Sequence, residues 1–225
     1  MFDVSSIATP PNVIHLAKPT PSRHELTEFE DGECYPLELA DILINAYSRP
    51  GELVFDPFVG SGTTLVAAQA AGRRGLGLEI HAERVEWCRA RLDDPSWVRH
   101  GDATIMEAYT LPTVDLVLTS PPYMTRLHHP ENPLTGYQTT DGDYLRYLTE
   151  LANVFKSAVA LLRPNGKLVV NIANMIDAGH VTSLAWDMAA RLHTIADFER
   201  EIVIDWEPAP DWITMDYCLV YTKRM

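Results

Sequence analysis

The spacing of apolar residues changes repeatedly along this chain, and each change marks an element. Pro36–Tyr47 carries apolar residues at helical spacing behind a proline suited to a first turn, which predicts a helix that Arg49-Pro-Gly51 ends. Leu53–Phe55 is a short apolar run of the kind a buried strand shows, and Ala-rich Thr63–Ala71 reads as a helix closed by Gly72. The same alternation continues with a strand at Gly75–Ile80, a helix at Ala82–Leu92 and strands at Trp97–His100 and Val114–Leu118. A long helix fits Asp143–Leu162, and Arg163-Pro-Asn-Gly166 stops it. Lys167–Ile172 reads as a strand and Val181–His193 as a helix. Glu201–Asp205 and Tyr217–Thr222 are strands with no helical signal between them, so they should pair antiparallel. Residues 1 to about 35 hold no sustained period and are interrupted by Pro10, Pro11, Pro19 and Pro21, which reads as an irregular arm.

Strands alternating with helices imply right-handed crossovers and an α/β fold: a mainly parallel sheet with helices on both faces, here ending in an antiparallel pair. At 225 residues, without internal repeats or low-complexity stretches, the expectation is a single domain over 1–225. The formal charge of −13 argues against a surface that grips phosphate everywhere, though a local cleft can still be positive. Neither a membrane span nor a signal peptide is apparent, and Cys34, Cys88 and Cys218 lack disulfide or zinc spacing. The default is therefore a reduced, cytoplasmic protein with no metal site.

Two segments carry chemistry. Asp56-Pro-Phe-Val-Gly-Ser-Gly-Thr-Thr64 joins a strand to a helix, where glycines admit a ligand close to the backbone and a helix N-terminus offers unpaired N–H groups. A phosphate loop would need Lys after Gly62, where Thr63 stands, and a dinucleotide fingerprint needs a small residue where Leu65 stands. Glu79 ends the next strand, nineteen residues after Gly60, in the position of a carboxylate that accepts from ribose hydroxyls. Asp56 would repel a pyrophosphate and welcome a cation. A nucleoside without phosphate and with positive charge answers this description, namely S-adenosyl-L-methionine.

Thr119-Ser-Pro-Pro-Tyr123 follows the fourth strand. Two adjacent prolines fix two φ angles and remove two donors, so the Pro121 carbonyl is held rigidly. Ser120 and that carbonyl are two acceptors for a planar exocyclic amine, and Tyr123 is an aromatic face for its ring. Accepting both N–H bonds turns the nitrogen lone pair out of conjugation and toward an electrophile.

In these motifs the chain resembles the amino-group (N4-cytosine/N6-adenine) DNA methyltransferases. Pro36–Ile44 is similar to the helix before that family's donor site, Asp56–Thr64 continuing to Glu79 is similar to its donor segment, and Ser120-Pro-Pro-Tyr123 to its catalytic tetrapeptide. The resemblance implies a Rossmann-like S-adenosylmethionine-dependent methyltransferase fold. It places Gly60, Ser61, Gly62, Thr63 and Thr64 around the methionine part, Asp56 near its ammonium group and Glu79 on the ribose, with Phe58 also among the cofactor-binding residues. By position, Asp102 and Ala103 lie against the adenine. Ser120, Pro121, Pro122 and Tyr123 form the catalytic set. Ser in the first tetrapeptide position is commoner among cytosine-N4 members, so methylation of cytosine N4 in DNA is expected. Adenine N6, an RNA guanine amine and a catalytically silent binding subunit are the alternatives.

Two features depart from the family's usual plan. The donor motif precedes the catalytic one, as in only some of its branches. No separate target-recognition domain is visible, and Met124–Gly142 is the only long loop, holding Arg126, His128 and His129. DNA, or RNA in the alternative, is the expected partner, with a separate specificity subunit or a homodimer completing recognition. The two loop histidines, Cys88 and the cluster Arg73, Arg74, Arg84, Arg89 and Arg91 read as ordinary loop, core and solvated residues. Trp206, Trp212 and Tyr217 read as core or edge packing of the last hairpin.

Overall fold

The structure, a computed structural model, describes residues 9–17, 35–127 and 130–224. Their strands are β1 (Val13–Ala17), β2 (Leu53–Asp56), β3 (Arg74–Glu79), β4 (Val98–His100), β5 (Val114–Thr119), β6 (Leu162–Asp177), β7 (His180–Thr182), β8 (Asp197–Glu207) and β9 (Ile213–Thr222). The helices are α1 (Leu37–Tyr47), α2 (Thr63–Ala70), α3 (Ala82–Arg89), α4 (Tyr144–Leu161) and α5 (Leu184–Leu192).

All nine strands join one sheet in the order β1-β8-β9-β6-β5-β2-β3-β4, with β7 against β6. The central strands pair in parallel, and β9 runs antiparallel to both β6 and β8. Parallel strands covered on both faces become continuously apolar, and β2 and β5 are buried at every position. One face packs α4 and α5 through residues such as Leu151, Phe155 and Met188. The other packs α1 and α2 through Leu39, Leu43 and Ala67. The strand order reverses between β2 and β5, and in such sheets ligands bind in the crevice at the carboxyl ends of the strands there.

The expected elements are present, with four corrections. The arm is not irregular throughout: Val13–Ala17 lies parallel to β8, with Ile14 and Leu16 inward and His15 bonded to Asp205 at 2.8 Å. Its partners lie some 190 positions away, so no local pattern announces it. Helix α4 stops at Leu161 as expected, but the breaker Arg163-Pro-Asn-Gly166 does not precede the next strand, which already starts at Leu162. It is the irregularity inside β6, where pairing with β5 jumps from Val114–Leu162 to Leu116–Lys167 and Asn165 has positive φ. Helix α5 starts at Leu184 rather than Val181, because Val181 pairs with Ile176 in a hairpin turning at Ala178 and Gly179, both of positive φ. Finally, Arg73 is not solvated: it is buried, donating to the Ser48 and Ala71 carbonyls at 2.8 and 2.6 Å and to the Ser48 hydroxyl. Among the described residues no helix is long and apolar enough to cross a membrane.

Candidate active site

The glycine turn is built by sterics and two carboxylates. Gly62 caps α2 with φ +90°, and a Cβ there would stand 2.3 Å from the Sγ of Cys88. Only glycine satisfies both demands. Cys88 itself is fully buried, which pushes its thiol up to about 12; it is a packing residue, as its sequence context suggests. Ser61 is also buried, and its carbonyl accepts from Arg91 at 2.7 Å, while Thr63 opens the helix half-buried.

Asp56 is 2% exposed at the end of β2. One oxygen accepts from the Phe58 N–H at 3.0 Å and the Thr119 hydroxyl at 2.6 Å, and the other accepts from Thr64, which also contacts Tyr35. Burial raises its pKa to about 6 against the lowering effect of those donors, and the charge of Glu79 adds to the rise. Glu79, 6% exposed at the end of β3, accepts from the Gly60 N–H at 3.0 Å and the His81 N–H at 2.9 Å. Each carboxylate therefore straps the turn from one side, and each oxygen of Glu79 keeps a lone pair for a further donor.

Asp102 accepts from the N–H and hydroxyl of Thr104 at 2.8 and 2.7 Å, capping a short 3₁₀ turn that begins at the buried Ala103. Beside Glu79, at the carboxyl ends of β3 and β4, opens a cavity of about 460 Å³ lined by Ile80, His81, Ala82, Glu83, His100 and Gln138. Asp102 and Ala103 do not line it. Gln138 does, although it belongs to the loop after the tetrapeptide.

That tetrapeptide leaves β5 beside Asp56. Thr119 is fully buried and its hydroxyl reaches Asp56, so one hydrogen bond ties the last strand residue before Ser120 to the donor turn. Ser120 and Pro122 are half-buried, and Pro121 is buried. The Tyr123 hydroxyl lies 3.4 Å from the Ser120 hydroxyl and donates to the Asn171 carbonyl of β6 at 3.3 Å. From α4, the Tyr147 hydroxyl donates to the Pro122 carbonyl at 2.8 Å and clamps the prolines from behind. Trp212, 44% exposed, sets its ring 6.4 Å from that of Tyr123.

Behind Tyr123 lies a polar cluster. Asp216 of β9, buried, accepts from Asn171 at 2.9 Å, from the Trp206 indole at 3.1 Å and from the Tyr217 N–H at 2.8 Å. Burial raises its pKa to about 6. Trp206 is thus an edge residue bound to a carboxylate, Tyr217 packs against Trp186 at 4.8 Å, and Trp212 stands more open than core packing implies. Asn171, Tyr147 and Asp216 escape the sequence reading, since each lies alone within an ordinary strand or helix. Arg126 is engaged by Asp187 at 2.6 Å and by the Tyr144 ring, and His128, His129 and Cys34 lie outside the described residues.

The sheet order and a site at the carboxyl edge, with a glycine turn and strand-end carboxylates, define the S-adenosylmethionine-dependent methyltransferase fold. A solved structure, TrmN from Thermus thermophilus, shares it over 84% of this chain and 49% of its own, with a TM-score of 0.60 at 20% identity. Residues 15–90 match the family described as DNA methylase. Over 60 residues, 27% of this chain and 17% of the relative, it is 45% identical to the type II methyltransferase M.MthZI of Methanothermobacter thermautotrophicus. Over 146 residues, 63% of this chain and 42% of the relative, it is 28% identical to the tRNA (guanine(10)-N2)-dimethyltransferase of Pyrococcus abyssi. The matches thus cover less than half the length of either curated relative. The family match covers the donor segment, about a third of the chain, and ends before the tetrapeptide.

Proposed function

We propose that the chain methylates an exocyclic amino group of a nucleobase in DNA, cytosine N4 before adenine N6, using S-adenosyl-L-methionine. The observation that carries this reading is the hydrogen bond from Thr119 to Asp56 at 2.6 Å, which sets the acceptor tetrapeptide against the donor turn. The residues suit the cofactor's chemistry. The open lone pairs of Glu79 suit ribose hydroxyls, the first N–H groups of α2 and the Ser61–Thr64 turn suit the methionine carboxylate, and buried Asp56 supplies negative potential for the ammonium and sulfonium charges. When bound, the cofactor supplies an electrophilic methyl group.

The chain's own residues do the rest. Ser120 and the Pro121 carbonyl accept hydrogen bonds from the two amine N–H groups and hold the nitrogen out of conjugation. Tyr123, fixed by Asn171 and Ser120, provides a face for the base, and Tyr147 keeps the proline pair from swinging. No general base is needed before attack, because the amine proton becomes acidic only as the new bond forms, and it then leaves to solvent from the half-buried ledge at Ser120. Ser120, rather than an acidic residue or Asn, favours cytosine. With Arg126 neutralised by Asp187 and a formal charge of −13, sequence recognition is assigned to a separate partner or a second copy.

The test is incubation with methyl-labelled cofactor and unmethylated DNA, followed by digestion to nucleosides. N4-methylcytosine is the expected product, and N6-methyladenine would reassign the base. The long alignment to a tRNA guanine methylase favours a second reading, an RNA guanine amine. Labelling of an unmodified tRNA transcript in preference to DNA would establish that reading instead.

A further inference from the structure

The loop that follows the tetrapeptide turns back toward the donor side. Pro130–Gly142 is ordered by its own bonds: buried Asn132 accepts from the Leu134 N–H at 3.0 Å, and its backbone pairs with Thr139 and Tyr137 at 2.9 and 3.0 Å. Leu134 inserts into the core, 4% exposed. Gly136 then passes so close to α3 that a Cβ would meet the His81 Nε2 at 2.6 Å, and its φ is +64°. The next residues carry Gln138 to the rim of the cavity that begins at Ile80 and His81 and ends at His100, whose Nε2 is fixed on the Ile80 carbonyl at 2.9 Å.

The lining of this cavity starts at Ile80, the residue after Glu79, and includes no residue of the glycine turn. A nucleoside whose ribose sits on Glu79 and whose sulfonium faces Tyr123 has one part left to place, its purine. Resting on the cofactor reading above, we propose that Pro130–Gly142 is a clasp over the purine end of the donor site, and that Gln138 is the residue that reads the purine. A carboxamide offers one acceptor and two donors, so it pairs with an amino group and the adjacent ring nitrogen of adenine at once. The Gln138 side chain has no hydrogen-bond partner among the described residues, and it is exposed, so it is free to turn onto the ring. One continuous stretch of chain thus runs from the methyl acceptor site to the far end of the methyl donor, which makes Gln138 a specificity residue in a segment that by sequence belongs to the target side.

Calorimetric titration with S-adenosylhomocysteine and with its analogue lacking the 6-amino group tests this without turnover. The wild-type protein should bind the analogue about threefold to tenfold more weakly, the effect of one neutral hydrogen bond. Gln138→Ala, an exposed change that leaves the fold intact, should bind both ligands alike and at the wild-type affinity for the analogue. Hydrogen exchange should show the Asn132–Gln138 amides slowed by S-adenosylhomocysteine. A variant that still discriminates, a wild type that never does, or exchange in the loop unmoved by ligand would overturn the clasp while leaving the cofactor reading in place. Failure of the wild type to bind S-adenosylhomocysteine at all would remove both.

Discussion

The two halves of the site are built in opposite ways. The donor half comes from one contiguous stretch, β2 through β3, in which Asp56 and Glu79 bond to residues no more than about twenty positions away, Thr119 excepted. The acceptor half is assembled across the fold: Tyr123 meets Asn171 of β6 and Trp212 before β9, Tyr147 of α4 holds the Pro122 carbonyl, and Asp216 bonds Asn171 from behind. The donor half is closed and internally bonded, while the acceptor half presents a half-buried Ser120 and an exposed Trp212. A cofactor of constant shape suits a rigid local cradle. A base that must be taken from a polymer needs an open ledge, and distant strands supply its walls.

The sharpest way to separate the halves is Ser120→Ala. Removing one placed acceptor of the target amine should lower kcat about tenfold to a thousandfold. Cofactor affinity, measured by titration, should stay unchanged because Ser120 makes no bond to the donor turn among the described residues. A matched loss of cofactor affinity would mean that the halves are one unit.

Gly62→Ala attacks the other half. The added methyl meets Cys88 and the backbone leaves its allowed region, so unfolding free energy should fall by about 2–4 kcal/mol. Cys88→Ala in the same chain should return part of that loss, since it vacates the sulfur, and denaturant melts of the four proteins measure the coupling. Full additivity would mean that the turn shifts instead of clashing.

Each half also holds one buried carboxylate raised to about 6, Asp56 and Asp216. Folding favours the protonated form of both relative to the unfolded chain, so the stability they confer in that form is complete below the unfolded carboxylate range near 4 and is lost as pH rises through 6, above which both are mostly ionised. Asp56→Asn and Asp216→Asn should each flatten that fall by on the order of 2 kcal/mol, read as the difference from wild type in urea melts between pH 4 and 7. A larger effect for Asp216 would place the weaker compensation in the acceptor half.

The same contrast explains what the sequence discloses. The donor cradle is legible because its sterics and hydrogen bonds fall within one strand-turn-helix-strand unit, where a glycine or a carboxylate has a fixed offset. Ser120–Tyr123 is legible because two prolines leave few conformations. Asn171 and Asp216 are not, since a polar residue in a strand acquires meaning only when register sets it opposite another. Strand β1 stays hidden for the same reason, with its partner strand β8 nearly the length of the chain away. Gln138 looks like a residue of the target loop until Gly136 is seen against His81.

The smallest expected effect is an absence, and it bears on the chemistry. Cys88 is locked under the glycine turn, and Cys218 lies buried in β9 with its thiol pushed well above its ordinary range by that burial. Neither is a thiolate at neutral pH, and a protonated, buried sulfur attacks nothing. The proposed methyl transfer needs no such attack, because in it the nitrogen takes the methyl group directly, its lone pair aligned by Ser120 and the Pro121 carbonyl. Replacing Cys34, Cys88 and Cys218 together by alanine should therefore keep kcat within about twofold of wild type, below the roughly 0.5 kcal/mol that distinguishes a contact from none. Stability will fall, because two buried sulfurs leave space behind, so the assay belongs well below the melting temperature and is normalised to folded protein. Loss of methylation in the folded triple variant, alongside an active Ser120→Ala, would mean that a cysteine adds to a ring carbon of the base, and the acceptor ledge would then have to be read as support for a covalent adduct.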